Sequence, residues 1–288
     1  MKHAYSLAHL TVLSLPPPQV VDVAARAGYH YASLRIARVT ADEPLYDLAR
    51  DRALMKETKA RLDDNGIDVL DVELFRMDQH HRPDDFAAEL NATAELGATN
   101  IIAQLPDPNR ERAVEQFARL CDLAKPLGIF VNLEFPHWTE TGNLVEATRV
   151  LRSVNRSNAA LLIDLLHMAR SNSNCDDLGK LPREWFRYAQ VCDAESQCPP
   201  TVEAMIRTAR YERLFPGEGT IDVRGILARL PSDIAYSLEI PRAALTRAVG
   251  PEELARLAIR VAQSHLDDRP TRTAARPSPT AQRASGAS

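Results

Sequence analysis

The chain has 288 residues and a formal net charge of −4, and 45% of its residues are hydrophobic. This is enough apolar material for a sizeable core, and barrel domains of this length commonly fold as one unit. A slightly acidic chain has no overall electrostatic attraction to nucleic acid or to a membrane surface, so neither is expected as a partner. No apolar stretch reaches the roughly 18 to 20 residues that a membrane span needs.

The N-terminus and the cysteines both predict a cytoplasmic protein. A short apolar run near the start is interrupted by His9 and then by three prolines, and it lacks the charged start and the cleavage site of a signal peptide. The four cysteines show no CxxC spacing, so they are expected to be free thiols, as is usual in the cytosol.

Short apolar runs alternate with helical stretches along the chain. Several of the helical stretches end at a glycine that directly precedes a buried run, as at Gly28, Gly97 and Gly128. The predicted strands cover residues 5–10, 29–34, 67–75, 100–104, 129–134, 159–164, 185–193 and 234–239. The predicted helices cover residues 16–26, 54–64, 84–96, 110–127, 144–154, a stretch reaching about 179, 223–230 and 251–264.

Eight strand–helix units in strict alternation predict a parallel sheet with helical crossovers. Eight units favour a single α/β domain of the (β/α)8 TIM barrel type over an open doubly wound sheet. No GxGxxG follows the first strand and no GxxxxGK[ST] occurs, which argues against dinucleotide and P-loop sites. Residues 1–266 are assigned to the barrel, and residues 267–288, which are polar and rich in Pro, Ser and Ala, are predicted to be a disordered tail.

The fifth to eighth predicted strands each end in a side chain with an oxygen donor. Because catalytic groups of such barrels lie at the carboxyl ends of the strands, these side chains are expected to converge above the barrel mouth. Oxygen donors favour one divalent cation, Mg2+ or Mn2+, with Co2+ as a further candidate, over Zn2+. For any single acid at such a position, the alternative is a helix N-cap or a solvated loop residue. The predicted metal ligands are Glu134, Asp164, Gln190 and Glu239.

Two further residues are expected to contact the substrate. His167 follows Asp164 by three residues, so a helical turn would place both on one face. It is predicted to polarise the substrate or exchange a proton, and the alternative is that it orients Asp164. Arg213 opens the segment R-L-F-P-G-E-G-T-I-D and is predicted to bind an anionic group, with a plain turn as the alternative.

Weaker candidates lie at or near the ends of the first four strands and after the fifth. They would line the pocket and select the substrate, although a structural role is an equal alternative for each of them. Trp138 would supply an apolar wall. The other predicted substrate-binding residues of this group are His9, Arg35, Glu73 and Gln104.

These strand ends resemble those of the xylose isomerase-like barrel superfamily, the sugar phosphate isomerases and epimerases, over roughly residues 4–265. The resemblance implies that Glu134 and Glu239 bind the metal and act as the acid–base pair on opposite faces of the substrate. It also implies a homo-oligomer. It rests on Glu134, the D-x-x-H of Asp164 and His167, the position of Gln190, the R-x-x-P-G-x-G-x-I-D segment and the S-L-E ending at Glu239.

Three features depart from the family pattern. Many sugar epimerases have histidine at the position of Gln190. With glutamine at this position, the chain is more similar to hydroxypyruvate isomerases, inosose dehydratases and some 3-dehydroshikimate dehydratases. The E-P-x-N that follows the first glutamate in the family is replaced by Glu134-Phe-Pro-His-Trp. The segment of residues 192–211 is longer than expected in a minimal epimerase, and it is predicted to form a lid or a partner surface.

The sequence therefore predicts a divalent-metal-dependent isomerase or epimerase that acts through an enediolate on a small keto-sugar or hydroxy-keto acid. The open alternative is a metal-dependent dehydratase of a cyclic polyol ketone, such as 3-dehydroshikimate or inosose, because loss of a β-hydroxyl follows the same first step. A nuclease is disfavoured because most strand ends carry oxygen ligands and the net charge is negative. The complete ligand set disfavours a non-catalytic binding subunit.

Overall fold

A computed structural model describes residues 3–40 and 43–267 of the chain. The strand segments are β1 (Tyr5–Leu7), β2 (Tyr31–Arg35), β3 (Asp68–Arg76), β4 (Asn100–Gln104), β5 (Phe130–Glu134), β6 (Ala159–Leu161), β7 (Ile163–Asp164), β8 (Tyr188–Val191) and β9 (Ala235–Leu238). The helices are α1 (Pro17–Ala27), α2 (Arg52–Asn65), α3 (Ala87–Glu95), α4 (Arg110–Ala124), α5 (Leu144–Val154), α6 (Leu165–Arg170), α7 (Val202–Tyr211), α8 (Val223–Leu227), α9 (Ala243–Val249) and α10 (Pro251–Leu266).

The strands form a nearly closed parallel barrel. The order of the nine segments in the sheet is β6-β5-β4-β3-β2-β1-β9-β8-β7, so the first and last strands of the chain pair with each other. β6 and β7 are two parts of one barrel strand, since only Leu162 separates them and its N–H donates to the carbonyl of Leu133 at 3.0 Å. The predicted TIM barrel is confirmed.

The predicted disordered tail lies outside the described residues from 268 onward, and it stays a prediction. Its first residue, Asp267, is the C-cap of α10 and accepts a hydrogen bond from the hydroxyl of Tyr5 at 3.2 Å. This contact ties the end of the last helix to β1.

Apolar side chains fill the barrel on both faces of its strands. Leu74, Ile102, Leu162 and Tyr188 form a small cluster inside the barrel, while a larger cluster lies between the strands and the helices. Burial on both faces explains why the strands appear in the sequence as nearly continuous apolar runs. Polar side chains can therefore reach the barrel mouth from the ends of the strands, beyond this apolar interior.

Helix α5 shows how the sequence specifies the outer layer. Its N-cap residue Asn143 accepts a hydrogen bond from the N–H of Glu146 at 3.0 Å, which satisfies one of the free donors of the first turn. Its apolar face, including Ala147 and Leu151, is buried. Asn155 ends the helix in the left-handed conformation with φ of 47°.

The structure differs from the predicted elements in several places. The first strand ends at Leu7, and His9–Val12 form a 3-10 helix. Helices α7 and α9 were not predicted. Among their residues only Ala209 of α7 is buried, so neither carries the apolar core stripe that marks a helix in a sequence. In the part of the chain that the structure describes, no helix has the length and apolarity to cross a membrane.

Candidate active site

The ends of the strands bring eight of the predicted site residues to one cavity of about 140 Å3 at the barrel mouth, whereas Asp164, Gln190 and His9 are not part of its lining. The pairing of the strands sets their heights, because Gln104 lies opposite Glu134 and Asp164 lies opposite Gln190. The predicted residues that line the cavity are Arg35, Glu73, Gln104, Glu134, Trp138, His167, Arg213 and Glu239.

Glu134, Asp164 and His167 form a cluster of metal-ligand type. One donor atom of each lies within 4.8 Å of the others, and all three residues are buried. His167 Nε2 is 3.6 Å from Glu134 Oε1. Asp164 is also the N-cap of α6, since its Oδ1 accepts from the N–H of Leu166 at 2.7 Å. The N-cap role therefore coexists with the cluster, because the carboxylate has a second oxygen.

Arg213 lies between two of the predicted metal ligands. Its Nη1 is 2.7 Å from Asp164 Oδ2 and its Nη2 is 2.7 Å from Glu239 Oε2. The residue is 2% exposed, and its Nε donates to the carbonyl of Ala209 on α7 at 2.8 Å. A guanidinium this deeply buried requires such paired acids. It thereby holds the carboxylates of two separate strand ends together.

Gln190 completes the group around this guanidinium. Its Nε2 donates to Glu239 Oε1 at 3.0 Å. Its Oε1 is buried and has no hydrogen-bond partner among the described residues, although buried acceptors are normally satisfied. The two carboxylates and the imidazole of the Glu134, Asp164 and His167 cluster fit a divalent cation, and the free amide oxygen of Gln190 is a further donor of that type. Glu239 lies outside this cluster and is held by Gln190 and Arg213.

The acids of the site differ in their affinity for protons. Burial, followed by the charge of Asp164, raises the pKa of Glu134 to about 7. Burial also raises the pKa of Glu239 well above its usual value, against the effect of Arg213. Burial opposes the ionisation of Asp164, but the guanidinium of Arg213 outweighs it and lowers the pKa to about 2. Carboxyl groups with pKa values set apart in this way are typical of acid–base sites.

The loop after β5 adds a residue that the sequence interpretation did not single out. His137 Nδ1 lies 3.0 Å from His167 Nδ1, so one ring donates and the other accepts. Burial lowers the pKa of His137 to about 3 and that of His167 to about 4, so both rings are neutral at pH 7. The sequence feature that could have identified His137 is its position three residues after the strand-ending Glu134. Trp138 packs edge-on against His167, with ring centroids 5.0 Å apart.

Ion pairs dominate the opposite side of the mouth. Arg35 Nη1 is 3.1 Å from Glu43 Oε1, and Arg35 Nη2 is 3.2 Å from Glu73 Oε2. Arg210 of α7 forms a further ion pair with Glu43. All of these side chains are largely buried, so the two arginines are neutralised within the protein.

His9 is used by the backbone instead of the cavity. Its Nδ1 accepts from the N–H of Arg35 at 2.9 Å, and its Nε2 is 2.9 Å from the carbonyl of Leu15. Since Nδ1 accepts, Nε2 carries the proton and donates. Both ring nitrogens are thus occupied, and among the described residues His9 does not belong to the cavity wall.

Residues 192–211 contain the helix that covers the cavity. Ile206, Ala209 and Arg210 of α7 line the cavity wall. Asp193 anchors the loop that follows, since its side chain accepts from the N–H groups of Gly217 at 2.9 Å, Gly219 at 3.0 Å and Ile221 at 3.1 Å. A Cβ on Gly219 would lie 2.4 Å from Asp193 Oδ1, so only glycine fits there.

A family model described as the xylose isomerase-like TIM barrel matches residues 21–265. The chain belongs to this family. The resemblance inferred from the strand ends is therefore confirmed.

Curated relatives in the xylose isomerase-like family have stated activities on small molecules. The chain is 26% identical over 175 residues to an inosose isomerase of Bacillus licheniformis, covering 56% of this chain and 60% of that protein. It is 25% identical over 180 residues to a 3-dehydroshikimate dehydratase of Pseudomonas aeruginosa, covering 57% of this chain and 27% of that protein. The chain thus spans less than two thirds of the length of each of these relatives.

Solved structures share the fold over nearly the whole chain. The IOLI protein with a bound zinc atom superimposes with a TM-score of 0.76 at 20% identity, covering 93% of this chain and 98% of that one. A D-allulose 3-epimerase from Methylomonas sp. superimposes with a TM-score of 0.67 at 17% identity, covering 92% and 99%. At these identities the likeness shows the barrel fold.

Proposed function

We propose that this protein is a divalent-metal-dependent isomerase or epimerase that moves a proton next to the carbonyl of a small keto-sugar or hydroxy-keto acid, through an enediolate. One observation carries the proposal, namely that donor atoms of Glu134, Asp164 and His167 lie within 4.8 Å of one another at the barrel mouth. The isomerase and epimerase activities stated for several relatives support the same reaction class.

The proposed metal ligands are Glu134, Asp164, Gln190 and Glu239. Three carboxylates and an amide oxygen favour Mg2+ or Mn2+, with Co2+ as a further candidate. His167 adds a nitrogen donor to the cluster, and the IOLI protein binds zinc, so zinc belongs in any metal screen. A cation bound there would polarise the substrate carbonyl and acidify the neighbouring C–H group.

Glu134 and Glu239 are the proposed acid–base pair. Burial raises the pKa of Glu134 to about 7 in the protein without a cation, toward the range that suits a group that removes and returns a proton. Glu239, whose carboxylate accepts from Arg213 Nη2 and Gln190 Nε2, is the proposed second group that exchanges a proton with the substrate. Arg213 fixes the carboxyl group of Glu239 through its Nη2.

The remaining predicted residues receive more modest roles. Neutral His167 is the proposed hydrogen-bond partner of a substrate hydroxyl or carbonyl, and Trp138 forms the apolar wall beside it. Gln104 donates to Glu134 Oε2 at 2.5 Å and so orients the base. Arg35 and Glu73 line the cavity as a paired group, and His9 positions the backbone of Arg35.

A second candidate function is dehydration of a cyclic polyol ketone such as 3-dehydroshikimate or inosose. It is favoured by the glutamine at position 190 and by the similarity to a 3-dehydroshikimate dehydratase. Removal of the same proton starts both reactions. The outcome then depends on whether Glu239 protonates a carbon atom or a departing β-hydroxyl.

Removal of the α-proton, the first step of both candidate reactions, can be tested directly. Ketoses, hydroxy-keto acids, inosose and 3-dehydroshikimate are incubated in deuterated buffer with Mg2+, Mn2+, Co2+ or Zn2+, and exchange of the α-hydrogen is followed by NMR. Ultraviolet absorbance of a conjugated product identifies dehydration. Metal-dependent exchange that is lost in Glu239→Gln supports the proposal, whereas exchange that persists after chelation of metal contradicts it.

A further inference from the structure

The cavity wall contains four arginines, and three of them are already paired. Arg35, Arg210 and Arg213 each form an ion pair with one or two buried glutamates or aspartates. Arg76 forms no ion pair and no side-chain hydrogen bond with any residue that the structure describes, and it is exposed to the solvent of the mouth. Among the residues that the structure describes, it is therefore the guanidinium of this wall that is left without an acidic partner.

The register of β3 directs Arg76 toward the barrel axis. Its Cα lies opposite that of Gln104, and the following N–H, of Met77, donates to the carbonyl of Gln104 at 2.9 Å, so the backbone is held on both sides of this position. Phe75 is buried in the layer between strands and helices. Because side chains alternate along a strand, Arg76 lies on the same face as Gln104.

This position is within reach of a substrate bound at the reacting centre. Gln104 lies opposite Glu134, so Arg76 and Glu134 are two strands apart, which is roughly 10 Å between Cα atoms. The cavity of about 140 Å3 is smaller than the roughly 300 to 1,000 Å3 of drug-sized ligand pockets. A ligand that contacts both ends of the cavity is consequently a small molecule.

We propose that Arg76 binds a carboxylate of the substrate, so that the substrate is a small hydroxy-keto acid and not a neutral keto-sugar. A planar guanidinium matches a carboxylate with two parallel hydrogen bonds, and the single positive charge of Arg76, unpaired within residues 3–40 and 43–267, matches one negative charge. A phosphate monoester carries about 1.5 to 2 negative charges and would leave part of that charge without a partner. The reaction itself rests on the proposed function, but the carboxylate site does not require turnover.

The test is a binding measurement with a matched pair of probes. Shikimate, a cyclic hydroxylated carboxylate, and its uncharged methyl ester are titrated into the full-length protein in the presence of Mg2+ and followed by calorimetry. Glucose 6-phosphate serves as a phosphate probe. The variants are Arg76→Gln and Arg76→Lys, with Arg152→Gln as a control, since Arg152 is an exposed arginine near the end of α5 and outside the cavity wall.

The wild-type protein and Arg152→Gln are expected to bind shikimate about tenfold or more tightly than the ester, because a hydrogen bond to a charged group is at stake. Arg76→Gln should remove this preference, and Arg76→Lys should restore part of it. Equal binding of acid and ester, no detectable binding of the acid, tighter binding of the sugar phosphate or a preference that survives in Arg76→Gln would each overturn the proposal. Carboxylate-selective binding without deuterium exchange would instead refute the proposed function alone.

Discussion

The two sides of the barrel mouth carry similar charged residues in different states of pairing. On the cation side, defined by Glu134, Asp164, Gln190 and Glu239, a single guanidinium holds two acids, and an amide oxygen is left without a partner among the described residues. On the ion-pair side, defined by Arg35, Glu43, Glu73 and Arg210, two guanidinium groups neutralise two glutamates, although Arg35 Nε and Glu73 Oε1 also have no hydrogen-bond partner among the described residues. Charge at a strand end is thus not by itself evidence of chemistry.

The difference also appears in proton affinity. On the cation side, burial raises the pKa of Glu134 to about 7, while Asp164 beside it is held at about 2 by Arg213. On the ion-pair side, burial opposes ionisation of Glu43, but Arg35 and Arg210 lower its pKa below the usual value. An acid held ionised by two guanidinium groups is suited to structure, whereas one titrating near neutral pH is suited to proton transfer.

The largest expected effect is a loss of α-hydrogen exchange that occurs for variants on the cation side and not for a variant on the ion-pair side. Glu134→Gln and Glu239→Gln should each lower the rate of α-hydrogen exchange by about 10²- to 10⁴-fold, because each removes a proton-transferring group. Glu43→Gln, a change of the same kind on the ion-pair side, should cost less than tenfold. Rates are compared at saturating metal, with circular dichroism to verify folding. If the exchange rate falls as much in Glu43→Gln as in Glu134→Gln, the two sides of the mouth do not differ in their catalytic role.

The next effect concerns stability without metal. Arg213→Met leaves the carboxylates of Asp164 and Glu239 without their shared cation, so the free energy of unfolding should fall by about 3 to 5 kcal/mol. Arg35→Met should cause a similar loss on the other side. Urea unfolding of chelator-treated protein measures both.

Addition of Mn2+ then sharpens the comparison. A cation that binds only the folded state stabilises it, and the acids released in Arg213→Met remain available to such a cation. Millimolar Mn2+ should therefore restore more stability to Arg213→Met than to Arg35→Met. If Mn2+ stabilises both variants equally, the cation does not bind preferentially on the side of Arg213.

The smallest effect tests the structural role of His9. Burial lowers its pKa from 6.5 to about 4, so between these values the unfolded chain binds a proton that the folded protein does not. Stability contributed by neutral His9 is therefore lost as the pH falls from 6.5 toward 4, by up to about 1.4 kcal/mol per pH unit. His9→Gln should show a shallower decline in urea unfolding over this range, and the other titrating groups cancel in the comparison. Parallel declines would contradict the assignment.

The sequence was sufficient to predict the barrel, because the alternation of strands and helices is a local pattern, although the exact strand ends differ, as at Leu7. Apolar runs of strand length, each followed by a helix, indicated the fold, and the first polar residue after each run indicated Glu134 and Glu239. The position of a residue relative to its own strand is a short-range property. It was therefore accessible without knowledge of the loops.

The contacts between loops were not accessible in this way. Arg210 pairs with Glu43 across 167 positions of the chain, and Arg213 enters between two acids along a path that depends on α7. Only Ala209 of helix α7 is buried, so the sequence contains no apolar stripe from which this helix could be predicted. For the third predicted strand, residues 67–75, Glu73 was the candidate, and Arg76, which directly follows that strand, was not considered.

The most direct test of the shared cation site is calorimetric titration of chelator-treated protein with Mn2+. The wild-type protein should bind one ion per chain, and Asp164→Asn should weaken the affinity by at least about tenfold, since it removes a proposed carboxylate ligand. Glu73→Gln, the matched change on the ion-pair side, should leave the affinity unchanged. Binding that is equally tight in Asp164→Asn and the wild-type protein would contradict the convergence of the strand ends on one cation.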